Sequence, residues 1–300
     1  FSGTVVGHFP WFYTYNYLLG FLSIMLLIWL CLKCFPKFWY LPIILLFTPS
    51  FNDIFYKFYG DKDMFFLWSF FLVLLLIPLL KNPTKQNNYF IYLLPIANLA
   101  LYMREVQFIL LIGLTVPYFL WWIFSVKKYR METNQYYYSK TVRLYFILFI
   151  ISGCIFLIQY FVFATFLGEE SYYRAVSPKF TFYSRFLYSA KALFLYTISD
   201  PLIVLVLPIL SVVTHVEYRK IKTNRYVLNS SFIRLPMIDS LAFASFSFFL
   251  FHVILGVYEI SYLASGYPFA IIAITGYLSI LAQHGTSERR FPRMRDVFYF

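Results

Sequence analysis

Tyr56-Lys57-Phe58-Tyr59-Gly60-Asp61-Lys62-Asp63-Met64-Phe65-Phe66 sets two acids and two lysines directly before an apolar run, Met64 to Leu80. A charged cluster that gives way at once to a long uncharged stretch reads as the mouth of a membrane helix. An Asp there has two readings. It caps the start of the helix, where a negative charge meets the positive end of the macrodipole, or it does chemistry at the membrane surface.

The rest of the chain repeats the pattern. Of 300 residues, 61% are hydrophobic and only 13% charged, and the mean hydropathy is +0.69. A soluble domain carries about a quarter charged residues, so the composition excludes an ordinary soluble fold. The expected class is all-α, a polytopic membrane protein. Apolar runs fall at about 11–32, 38–51, 64–80, 89–103, 106–126, 144–166, 192–214, 235–257 and 267–281, giving about nine spans in a single domain over 1–300. The chain reads as a fragment that starts at Phe1 and stops at Phe300, with no signal peptide to read in it.

The net charge of +12 is spread over short loops. Alternate loops separate it into two sets, fourteen Lys and Arg on one side and seven on the other, with four more in the tail. The richer side is the cytoplasmic one. It holds the linkers 127–143 and 215–234, whose basic residues suit anionic lipid rather than nucleic acid. The poorer side, facing outward, holds His8, Asp61, Lys62, Asp63, Arg104 and a loop over 168–191.

Arg104-Glu105 joins two apolar runs with almost no loop. An Arg in that place must snorkel, pair with Glu105 or a lipid headgroup, or clamp an anion. Its planar fork of N–H donors suits phosphate. Asp61 and Asp63 are two apart and so do not share a helix face; one is expected at the helix mouth and the other in the loop. Either carboxylate suits a general base or a divalent-cation ligand. His252, inside an apolar run, reads as a packed polar residue between helices, and His215 as an isolated loop residue. Cys31-Leu-Lys-Cys34 has no second pair and is weak as a metal motif. No phosphate-binding glycine loop, serine-hydrolase elbow or zinc-protease motif is present.

Four stretches, in order along the chain, resemble the multi-span GT-C-fold glycosyltransferases. His8-Phe9-Pro10-Trp11-Phe12-Tyr13 is similar to the proline-aromatic entry of an early family helix. Gly60-Asp61-Lys62-Asp63-Met64-Phe65-Phe66 resembles the outer-face acid that opens a later one. Arg104 falls where the family places a Lys or Arg at the outer end of a helix pair. Glu288-Arg289-Arg290-Phe291-Pro292 resembles the family's late arginine-aromatic-proline stretch, with the proline misplaced and the loop count putting it inside.

The resemblance implies transfer of a sugar from a polyprenyl-phosphate donor to a lipid, glycan or protein acceptor on the outer face of a bacterial plasma membrane. It implies Asp63 and Asp61 as catalytic carboxylates, and Arg104, Lys62, His8, Arg289 and Arg290 as substrate-binding residues. A divalent cation is left open. The family's principal acid lies in a loop upstream of Phe1. A transporter or flippase would use the same mouth charges, a glycan polymerase for lipid-linked substrates would look similar, and a non-catalytic membrane subunit needs no clustered outer charge at all.

Overall fold

A computed structural model describes residues 10–56, 61–80, 87–128, 140–166, 182–223 and 235–287. Among the described residues every regular element is helical. The α-helices are α1 (Pro10–Cys34), α2 (Pro49–Tyr56), α3 (Asp61–Leu80), α4 (Asn87–Met103), α5 (Phe108–Lys128), α6 (Lys140–Phe166), α7 (Phe182–Ser199), α8 (Leu207–Thr223), α9 (Leu235–Leu255) and α10 (Tyr267–Ser287).

Four stretches among these residues are long and apolar enough to cross a membrane: Thr14–Cys34, Val142–Phe163, Leu235–Leu255 and Ser261–Ala282. A bent pair, Ser184–Ser199 with Leu202–Glu217, supplies a fifth if it crosses as one unit. The outward sides of these helices are apolar: Phe21, Phe161, Val212 and Ile254 are each more than 60% exposed. A water-soluble monomer rarely exposes so much contiguous apolar surface. The chain is a helical membrane protein.

Among the described residues four or five such stretches are seen where about nine spans are expected, and proline interrupts two of the expected runs. Pro36 precedes the apolar run 38–51 and Pro42 and Pro49 lie within it, and the stretch forms 3-10 turns, Pro36–Phe38 and Leu41–Phe47, followed by the short α2. Proline lacks the N–H that an interior helical position must donate. The run 192–214 is broken after Ser199. Asp200 leaves helical geometry, Pro201 starts a π turn (Leu202–Val206), and the two halves meet at 100°. Helix also extends further than the loop assignments. It starts at Phe182 inside 168–191, and continues to Thr223 inside 215–234. Lys127, Lys128, Lys140 and Arg143, at the ends of the 127–143 linker, also lie in helices.

Side-chain pairs fix which helix ends lie together. Tyr15 O–H donates to Asp63 Oδ1 (2.9 Å), so α1 and α3 start at the same end. Nineteen residues further, about 28 Å along α1, Cys34 marks the opposite end. There, Cys31 lies beside Thr275 of α10. α10 is the central helix, buried along almost its whole length, whereas α6 turns most of its surface outward. Trp68 of α3 packs edge-on against Phe269 of α10 and Phe71, and Tyr118 of α5 stacks on Phe146 of α6.

α5 and α9 pack most closely at Gly113. A Cβ added there would stand 2.8 Å from the backbone Cα of Ala244 and would also collide with Ser247. Small residues at a membrane-helix crossing let backbones approach where no hydrophobic effect drives them together. Gly113→Leu is expected to push the helices apart and destabilise the protein by about 1–3 kcal/mol. A thermal scan in detergent checks this. Co-mutating Ser247 to Gly should recover little, because the backbone contact remains. A Gly113→Leu variant melting with the parent would contradict the packing.

Candidate functional site

The Asp63 end of the bundle gathers most of the residues that the sequence singles out. Asp61, Lys62 and Asp63 all lie in the first turn of α3. This corrects the expectation that one acid stays in the loop. Helix starts at the first Asp because acids there meet the macrodipole favourably. Asp63 is half-buried and accepts from Tyr15. Lys62 is only 4% exposed, its ammonium 5.7 Å from the centre of the Tyr15 ring. Burial pulls the Lys62 amine below the usual lysine range, with the Asp63 carboxylate opposing that shift. Tyr15 thus holds both neighbours, one by its hydroxyl and one by its ring.

Arg104 occupies the break between α4 and α5. Its backbone is extended (φ −154°, ψ 125°), and its carbonyl accepts the Gln107 N–H at 3.1 Å, capping a 3-10 turn, Glu105–Gln107. The guanidinium carbon lies 5.3 Å from the centre of the Tyr262 ring. Beneath it is His252, buried, its Nδ1 2.8 Å from the Phe248 carbonyl. The imidazole is ringed by Phe248, Phe251 and Tyr262. The expectation of a packed histidine between helices matches this setting. Its position is set by how α9 ends. Gly256 has φ +68°, its N–H bonds the Val253 carbonyl, and the Val257 N–H bonds the His252 carbonyl. That is a Schellman closure, which needs a residue at ease in the left-handed region.

A buried polar chain ties α3 to the 3-10 turn after Arg104 and to the 3-10 segment Ile260–Gly266. Trp68 Nε1–H donates to Gln107 Oε1 (2.7 Å), and Gln107 Nε2–H donates to Ser265 Oγ (3.1 Å). Trp68 lies five residues into α3 from Asp63, and Gln107 three residues beyond Arg104. Asp63, Lys62 and Arg104 therefore lie toward one end of the bundle, where Tyr262 of the 3-10 segment Ile260–Gly266 meets Arg104.

A second buried cluster escaped the sequence reading. Asp200 is fully buried at the α7–α8 break. Ser50 of α2 and Tyr267 of α10 both donate to its Oδ1, and Ser199 donates to Oδ2 (2.6 Å). Three hydroxyl donors satisfy a carboxylate that burial alone would make costly. The signal in the sequence was Ser199-Asp200-Pro201 inside an apolar run, an acid and a helix breaker together. At the opposite end, His215 is not an isolated loop residue. It lies on α8 and faces Asp239 of α9.

His8, Arg289 and Arg290 lie outside the described residues, and so do the side chains of Asp61 and Glu105. Among the described residues no three His, Cys, Asp or Glu side chains converge as a metal ion requires. Cys31 and Cys34 are buried free thiols.

Compared with family models, curated proteins and solved structures, the chain matches none. What the fold itself defines is the class, an integral membrane protein built from helices, with charged and aromatic groups collected at the Asp63 end.

Proposed function

We propose that this chain is a GT-C-type membrane glycosyltransferase, crossing the bilayer nine times, with the Asp63 end on the outer face of a bacterial plasma membrane. The nine crossings take the proline-broken stretch 36–56 and the bent α7–α8 pair as one passage each. The reaction moves a sugar from a polyprenyl-phosphate donor to a lipid, glycan or protein acceptor.

The observation that carries this reading is Arg104, set at a helix break at the same bundle end as Asp63 and Lys62. The Tyr262 ring lies under the Arg104 cation, and the planar fork of N–H donors on Arg suits phosphate. The donor's hydrocarbon tail lies between helices, and its phosphate meets Arg104, with Lys62 as second cation. The acceptor oxygen attacks the anomeric carbon, the bond from that carbon to phosphate oxygen breaks, and polyprenyl phosphate leaves. The acceptor's proton passes to a carboxylate, for which Asp63 Oδ2 is placed opposite the oxygen held by Tyr15. A divalent cation at Asp61 and Asp63 is a variant of the same site.

Asp63→Asn keeps the Tyr15 acceptor but removes the base. In the full-length protein, reconstituted in vesicles with a panel of polyprenyl-phosphate sugars, transfer should fall by about 10²- to 10⁴-fold, with donor binding little changed. Parent-like transfer by Asp63→Asn would remove the base assignment. Absence of both transfer and donor binding across the panel in the parent would remove the reading.

One observation favours a second reading. The α7–α8 pair is a discontinuous helix with a buried acid at its break, the architecture on which transporters build substrate and ion sites. A transporter or flippase for a lipid-linked substrate would move the lipid across a vesicle bilayer without forming a glycosidic bond. The same vesicles distinguish the two.

A further inference from the structure

At the break between α7 and α8 the side-chain oxygens outrun the protons that serve them. Thr48 O–H donates to the Leu45 carbonyl (2.8 Å). Ser50 and Tyr267 donate to Asp200 Oδ1, and Ser199 donates to Oδ2 (2.6 Å). Each hydroxyl has a single proton, so all of these are spent. Yet the Tyr267 oxygen also meets those of Thr48 and Ser50, and neither meeting has a proton to share. Turning a hydroxyl round moves the deficit to another pair. A proton on Asp200 would serve one of them and leave the other.

The main chain adds to the set. Pro201 has no N–H to give the Thr197 carbonyl four residues back. The Ile203 N–H, which would serve the Ser199 carbonyl in a continued helix, bonds the Asp200 carbonyl instead (3.2 Å), as does that of Val204. The carbonyl end of α7, the negative end of its dipole, therefore finishes beside Asp200. Another buried oxygen lies at the same junction. Ser245 of α9 is fully buried, and its Oγ has no hydrogen-bond partner. A Cβ on Gly266, the residue before Tyr267, would meet that Oγ at 3.2 Å and Ile203 of the π turn at 3.8 Å.

No Lys, Arg or His among the described residues pairs with Asp200. Its hydroxyl donors solvate the negative charge without neutralising it. A cation among these oxygens meets both needs, drawing lone pairs where protons are lacking and balancing the carboxylate. An all-oxygen set suits a hard ion. One carboxylate balances a single positive charge, and a divalent ion would leave net charge buried. Oxygens set at hydrogen-bond spacing favour a small ion over a large one.

We propose that the α7–α8 break is a sodium site, formed by Asp200 Oδ1, the hydroxyl oxygens of Thr48, Ser50 and Tyr267, and the Ser199 carbonyl. Broken membrane helices offer their carbonyl ends to sodium in this way. The ion ties α2 and the start of α10 to the break. Binding is expected whether the chain transfers a sugar or moves a lipid, so the site is independent of either reading.

The test uses the full chain in detergent micelles, with sodium, potassium or choline chloride at equal ionic strength. Equilibrium dialysis with radiolabelled sodium should show saturable binding, displaced by unlabelled sodium and not by choline. Sodium at a hundred times its Kd should raise the melting midpoint by about 5 °C. Asp200→Asn removes the balancing charge and should weaken sodium binding at least about tenfold. Thr48→Val keeps the carboxylate and the side-chain shape but removes one oxygen. It should weaken binding by about threefold to tenfold, and it carries the test if Asp200→Asn fails to fold. The proposal is overturned if sodium binding does not saturate at any concentration that leaves the protein folded. It is equally overturned if potassium or choline raises the midpoint as sodium does, or if the folded variants bind sodium like the parent.

Discussion

Replacing Asp200 by Ala is expected to cost about 3–5 kcal/mol and to leave little folded protein at 37 °C. The substitution removes the acceptor of three buried hydroxyls on three segments: Ser50 of α2, Ser199 at the end of α7 and Tyr267 at the start of α10. A buried polar group left without its partner costs about 1–3 kcal/mol. The three costs do not add fully, since a serine in a helix can turn to a carbonyl one turn back. The Tyr267 ring is fully buried and cannot turn away, but its hydroxyl also meets those of Thr48 and Ser50, which lowers its share of the cost. The opposing effect is relief of a buried carboxylate, which can make removal of a charge harmless. Here the three donors already offset that cost, so loss of contacts wins. Asp200→Asn keeps the shape and one oxygen and should lose less, about 1–2 kcal/mol. Thermal unfolding in detergent ranks the variants. An Asp200→Ala protein as stable as the parent, or more so, would show that the carboxylate is not what joins these segments and would point to a retained functional acid at the helix break.

The same residue shows where the sequence is readable. The membrane class follows from the apolar runs, since nothing else accommodates so few charges over 300 residues. The mouth of α3 and the short α4–α5 junction are also legible, because charge beside an apolar run marks an end. Their partners are not. Tyr15 and Asp63 are 48 residues apart, Ser50 and Asp200 are 150 apart, and Gln107 and Ser265 are 158 apart. Hydropathy carries no information about which polar side chain a distant helix will bring. It also misplaces helix ends, because an apolar run continues through a proline break while its backbone does not. Asp200-Pro201 and the three prolines of 36–49 are the clearest cases. Asp239 was hidden in the same way, one acid in a run otherwise apolar enough to read as an uninterrupted span.

Arg104 separates a binding residue from a structural one. A cation at a membrane helix end costs up to about 2.5–3.5 kcal/mol at the bilayer centre and less near the surface. Stacking on Tyr262 offsets about 0.5–2 kcal/mol of this. Under the site reading phosphate binding adds to what the contacts of Arg104 within the protein recover. Arg104→Gln should then leave thermal stability within about 1 kcal/mol of the parent and weaken polyprenyl-phosphate binding by about 10- to 100-fold, the value of a charge-assisted pair. Arg104→Lys should restore only part, since it keeps the charge and loses the paired N–H geometry. Tyr262→Leu removes the ring beneath the guanidinium but not the cation, so it should weaken binding less than Arg104→Gln does. A structural Arg predicts the reverse order, with lost folding in both Arg104→Gln and Tyr262→Leu and parent-like affinity in whatever folds. Binding of a fluorescent polyprenyl phosphate to the full-length protein, measured beside its melting curve, decides between them. If Arg104→Gln is well folded and binds the probe as the parent does, Arg104 is not the phosphate clamp, and the glycosyltransferase reading loses the observation on which it stands.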